Sequence, residues 1–257
     1  AIIVGTGLGG VFLQLAGHKT WLSVLPLVFL SCVGFFAAFF VPQVPAANTS
    51  GETKRVLREA WQIAHQDRKL WLTIIGLTAY WALASLLGQD IMVYSKSDDY
   101  LGLSDSMAAW PLTAFAIGAG AGSVLAGKMS AGKIEIGLIP MGALGLGIFT
   151  LLLGGFAPGL YGTLIFMCLL GISSGLVVVP LHALLQWRAP AEKRGAIIAV
   201  SNVFVFGGIL CGSLGALFLS KIGLSARGIL VGSAIATCLC TIWALYMLPE
   251  AFLRLCL

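Results

Sequence analysis

The chain has 257 residues, of which 59% are hydrophobic and only 10% charged, with a formal charge of +5 and a mean hydropathy of +0.99. Soluble domains carry roughly 25% charged residues. Lipid is therefore the main solvent, and a soluble globular protein is excluded. The predicted fold class is an all-α integral membrane bundle.

A spanning helix needs about 20 mostly apolar residues. On that basis eight spans are expected, near residues 1–17 (incomplete), 21–42, 70–95, 107–127, 136–156, 159–186, 195–219 and 226–248. The opening AIIVGTG has no basic flank or cleavage site, so it reads as a chain cut inside a membrane helix rather than a signal peptide. Residues 43–69 form one long polar segment. There Thr49-Ser-Gly-Glu52 resembles a capping box, and Val56, Leu57, Ala60, Trp61 and Ala64 line one face of an amphipathic helix. The expectation is a surface helix on the membrane or against the bundle.

Basic residues set orientation, because they are retained on the cytoplasmic side. Lys54, Arg55, Arg58, Arg68, Lys69, Lys128, Lys133, Arg188, Lys193, Arg194 and Arg254 fall at one side, against Lys19, Lys96, Lys221 and Arg227 at the other. The long loop and the C-terminus are thus expected in the cytoplasm. This topology accounts for the net positive charge, and no nucleic acid is implied.

Two glycine motifs mislead. Gly5-Thr-Gly7-Leu-Gly9-Gly10 fits a dinucleotide fingerprint, yet no acidic residue precedes Glu52 to hold a ribose. Gly122 to Lys128 resembles a phosphate-binding loop, but Met129 stands where Ser or Thr must bind magnesium. Gly118/Gly122, Gly171/Gly175 and Gly208/Gly212 read better as small-residue faces for close helix packing. The six cysteines, Cys32, Cys168, Cys211, Cys238, Cys240 and Cys256, lack CxxC spacing and are expected to be packing residues. No cofactor, metal or catalytic residue is expected. Membrane acyltransferases often need a His with an Asp five positions later. Here His18, His65 and His182 are followed at that spacing by Ser23, Leu70 and Trp187.

Three stretches carry a resemblance: LLGQDIMVYSKSDDYLG (86–102), GSVLAGKMSAGKIEIGLIPMGALGL (122–146) and GLVVVPLHALLQWRAPAEKRGAIIAVSNVF (175–204). With the hinge GKMSAGKIEIG and one long loop, the chain resembles the major facilitator superfamily, and within it the bacterial lysophospholipid transporters. It is most similar to the form fused to an acyltransferase and an acyl carrier protein synthetase, and the final LPEAFLRLCL resembles the exit into that acyltransferase. The resemblance implies that residues 1–42 are helices five and six, 43–69 the central cytoplasmic loop, and 70–257 the C-terminal six-helix half. Helices one to four would then be missing partners of the same protein. Two positions depart from the family: His182 stands where Asn usually follows Val-Pro-Leu, and no arginine lies near Gly88 and Gln89.

The function so implied is secondary transport of a lysophospholipid or other amphiphile across the bacterial inner membrane by alternating access. The alternatives are efflux of amphipathic drugs, or anchoring of a fused acyltransferase. At about 1.5 Å rise per residue, Tyr80 and Trp81 fall near the midplane. Gln89 and Asp90 lie about 30 Å in, at the outer rim. Asp90, the one acid within an expected span, is a candidate for substrate or proton handling or an outer-gate hydrogen bond. Ser201 and Asn202 come about 10 Å deep, suited to headgroup contact or to interhelical bonding. The candidate substrate path is therefore Trp81, Gln89, Asp90, Ser201 and Asn202. The candidate gate is Lys128, Lys133, Glu135, His182, Gln186 and Arg194, with Trp187 and Arg188 expected as interface anchors.

Overall fold

The computed structural model describes residues 20–40, 53–104, 107–130 and 132–247. The span expected over 1–17, the capping box at 49–52 and Arg254 lie outside them. The described residues form eight helices: α1 (Thr20–Ala38), α2 (Thr53–Gln66), α3 (Arg68–Lys96), α4 (Trp110–Ser130), α5 (Leu138–Phe156), α6 (Leu160–Arg188), α7 (Arg194–Lys221) and α8 (Ala226–Met247). The six from α3 to α8 are each long and apolar enough to cross a membrane. Residues 28–40, in and after α1, are exposed throughout.

Short connections make successive spans run in alternate directions. One end of the bundle thereby gathers Arg68, Lys128, Arg188 and Arg194, and is called the basic end below. Packing does not follow chain order. α3 lies along α7, α4 along α6, and α5 between α6 and α8.

Glycine decides those pairings. A Cβ on Gly118 or Gly122 would overlap the α6 backbone at Cys168 and Ile172. One on Gly171 or Gly175 would overlap α4 at Phe115, Ala119 and Gly122. The two motifs face each other, and bare backbones give the close approach. Gly208 and Gly212 likewise sit on Thr78 and Ala82 of α3. In lipid, where apolar surface gains little by being hidden, such van der Waals contact is what holds helices together.

The interior is built from Leu70, Ile74, Leu77, Ile91 and Tyr94 of α3 with Leu153, Leu170, Leu181, Ile197 and Leu230. The outer faces stay apolar: Val203, Phe206, Leu210 and Leu214 of α7 are all exposed. Large exposed apolar side chains of this density suit hydrocarbon rather than water. At the far end α5 stops at Ala157, whose φ of 45° lies in the left-handed region. Arg227 donates to the carbonyls of Gly154 and Gly155 there, at 2.9 and 2.5 Å. It thus satisfies carbonyls that a helix end leaves without partners.

Candidate functional site

Three features of the spans could bear on transport. The first lies where α3 meets α6. The Tyr80 hydroxyl and Ser174 Oγ are 2.5 Å apart, and the Tyr80 ring meets Trp81 edge-on at 5.5 Å between centroids. From Tyr80 toward the far end, an apolar cavity of about 90 Å³ opens among α3, α4, α5, α6 and α8. Tyr80, Gly88, Phe115, Thr150, Met167 and Leu230 are among its walls, and no charged side chain among the described residues lines it.

The second is Asp90. Its residue is 3% exposed, and its Oδ2 is buried with no hydrogen-bond partner among the described residues. That oxygen therefore makes no outer-gate hydrogen bond, and near the far end of α3 the residue is buried. Distance along the helix places a residue in depth but not around the axis, and here the α3 face carrying Asp90 is turned into the bundle. A buried carboxylate oxygen left without a partner is costly unless neutralised or ligated.

The third is a network at the basic end. Asp67 caps α3: its Oδ1 accepts from the Lys69 and Leu70 N–H groups at 3.0 and 3.2 Å. Its Oδ2 accepts from Arg188 Nη2 at 2.6 Å and Nε at 3.1 Å. Partial burial works to raise the Asp67 carboxyl, but the Arg188 guanidinium and the two backbone donors outweigh it and hold it below its ordinary value. Lys193 Nζ reaches Glu59 Oε2 at 2.6 Å, and Arg55 Nε reaches Oε1 at 3.0 Å. Lys193 first, then Arg55, lowers the Glu59 carboxyl. Ala60 and Ala64 of α2 are fully buried against the bundle. Trp61 stacks on Phe204 of α7, with centroids 5.3 Å apart, and on His65 at 6.1 Å. Trp71 closes the cluster edge-on to both Trp61 and His65.

The other expected positions are dispersed. Gln89 is partly buried, Ser201 buried, and Asn202 exposed on α7. Lys128, Lys133, Gln186 and Arg194 are exposed, and His182 is partly buried. Glu135 has an interaction of its own. Arg188, expected as an interface anchor, also pairs with Asp67, while Trp187 beside it is 67% exposed. Sequence reasoning missed Glu59, Asp67, Lys193 and Ser174 as interacting residues. Asp67 ahead of an apolar run was a legible cap signal. Its partner 121 residues away was not.

Searches of curated proteins and of solved structures give no match. The sequence model of the Major Facilitator Superfamily does match, over residues 1–203 and again over 78–254. The doubled match suits a family built from internal repeats, in which one segment aligns to either half. With six apolar spans packed through glycine faces and both matches covering most of its length, the chain belongs to the Major Facilitator Superfamily and is a multi-pass membrane protein of the secondary transporter class.

Proposed function

We propose that this transporter moves lysophospholipids across the bacterial inner membrane by alternating access, with the basic end in the cytoplasm. The observation that carries the reading is where exposed charge falls in the described spans: Arg68, Lys96, Lys128, Arg194, Lys221 and Arg227 all sit in first or last turns, and the middle of each span exposes none. Asp90, the acid of their interior, is buried, while the exposed faces of α7 pair apolar side chains with the uncharged Asn202. A long apolar molecule with a zwitterionic headgroup meets no fixed charge on such a wall. The three stretches at 86–102, 122–146 and 175–204 that resemble lysophospholipid transporters support the same substrate. In this reading Trp81, Gln89 and Asn202 line the headgroup path, Asp90 takes up a proton or a substrate donor, and Ser201 supports the path from behind. Lys128, Lys133, Glu135, His182, Gln186 and Arg194 belong to the cytoplasmic gate. A fused or associated acyltransferase would use the lipid delivered.

The test is uptake of labelled lysophosphatidylethanolamine into spheroplasts carrying the full-length protein, against matched empty membranes. Protein-dependent uptake that competing lysolipids suppress supports the reading. A folded, inserted protein that moves no lysolipid but expels amphipathic dyes would sink it in favour of drug efflux.

A further inference from the structure

We propose that the apolar cavity between α3, α4, α5, α6 and α8 receives the end of the substrate's hydrocarbon chain and sets the chain length accepted. This rests on the lipid reading given above, and deepens it from a substrate class to a measuring site.

The cavity is not a place for water. A buried water needs two to four polar partners, and the walls offer almost none. Tyr80 contributes its ring, because its hydroxyl is bound to Ser174. Thr150 contributes one hydroxyl; Thr73, Thr78, Thr113, Thr237 and Thr241 each bond a carbonyl four residues back, and Thr150 shows no such bond among the described residues. The volume of about 90 Å³ is of the same order as the roughly 150 Å³ apolar cavity that stays dry and admits benzene. An occupant must be apolar, slender and uncharged. A chain terminus meets all three conditions, and a headgroup meets none.

Gly88 marks the open side. The seam glycines Gly118, Gly122, Gly171 and Gly175 meet backbone where a Cβ is added, but a Cβ on Gly88 would meet nothing within 4 Å. Gly88 lies on the cavity wall with Leu87 and Ile91. The space at that position is not needed for helix packing, and a Cβ enters it without moving a neighbour. Leu153 and Leu170 wall the same cavity from α5 and α6.

The experiment compares long-chain and short-chain lysophosphatidylethanolamine in proteoliposomes of the full-length protein. Gly88→Leu fills the cavity, so the ratio of long-chain to short-chain transport should fall about tenfold, as expected when about two methylenes lose their burial. Leu153→Ala enlarges it and should move the ratio the other way. A wild-type ratio in both variants, with transport intact, overturns the chain site while leaving the lipid reading standing. A second readout needs no transport. Gly88→Cys in nanodiscs is labelled with a maleimide, and that position is followed by peptide mass spectrometry. Protection by long-chain but not short-chain lysolipid supports the site even if no lysolipid is transported. Equal labelling with and without the long-chain lipid overturns it.

Discussion

Asp67 and Arg188 close the basic end of the bundle: one carboxylate caps the start of α3 with Oδ1 and binds the last residue of α6 with Oδ2, 2.6 Å from Nη2. A single side chain thus fixes the register between two spans that are far apart in sequence. Asp67→Ala should lower stability more than Arg188→Ala, since it removes both a cap worth about 1 kcal/mol and the ion pair. Arg188→Ala keeps the cap. Thermal unfolding of the two purified variants in detergent would check the order, and equal losses would show the cap to be idle.

Acid should weaken the same end. Asp67 and Glu59 both titrate below their ordinary values in the folded protein. Folding therefore gains from their ionised forms above the ordinary carboxylate range, roughly pH 4. The gain fades as pH falls through the lowered values. The melting temperature should drop below about pH 4 in the wild type, and drop less in a Glu59→Gln, Asp67→Asn double variant. A parallel pH curve in that variant would assign the acid sensitivity to other groups.

The amphipathic α2 is held by aromatic stacking as well as by the Lys193–Glu59 pair. Trp61→Ala removes the ring shared by Phe204, His65 and Trp71. Cleavage by trypsin at the exposed Arg55 and Arg58 should then quicken several-fold, while the six spans remain intact. Lys193→Ala alone should have a smaller effect that shrinks further in high salt, because exposed ion pairs are screened. Unchanged proteolysis in Trp61→Ala would mean that α2 docks through Ala60 and Ala64 alone.

Glycines with the same sequence appearance should respond oppositely. Gly122→Ala drives a methyl into the Ile172 backbone and should cost about 1–3 kcal/mol, the usual penalty of overpacking. Gly127→Ala, five residues on, meets nothing within 4 Å and should be neutral or stabilising by up to about 1 kcal/mol, through better helix propensity. Melting temperatures measured side by side separate them. Similar shifts would remove the backbone-contact account of the α4–α6 seam.

Asp90→Asn keeps shape and removes the ionisable group. If Asp90 carries a proton during transport, the variant should bind substrate and lose the pH dependence of its transport rate. A variant with the wild-type pH profile would assign Asp90 a structural place only.

The sequence by itself determined the solvent, the helices and the small-residue seams. Apolar runs of spanning length can only be helices in lipid, so the spans from α3 to α8 begin and end within a few residues of where composition places them. Gly118/Gly122, Gly171/Gly175 and Gly208/Gly212 were legible as packing faces because spacing of four puts both residues on one side of a helix. What spacing does not contain is the partner. That α4 faces α6 and α7 faces α3 follows from three-dimensional fit between helices far apart in sequence. The same limit hid the bond between Asp67 and Arg188, the cavity beneath Tyr80 and the burial of Asp90. A helical repeat fixes how deep a side chain lies and its angle relative to its neighbours. Only the tertiary structure decides what stands opposite it.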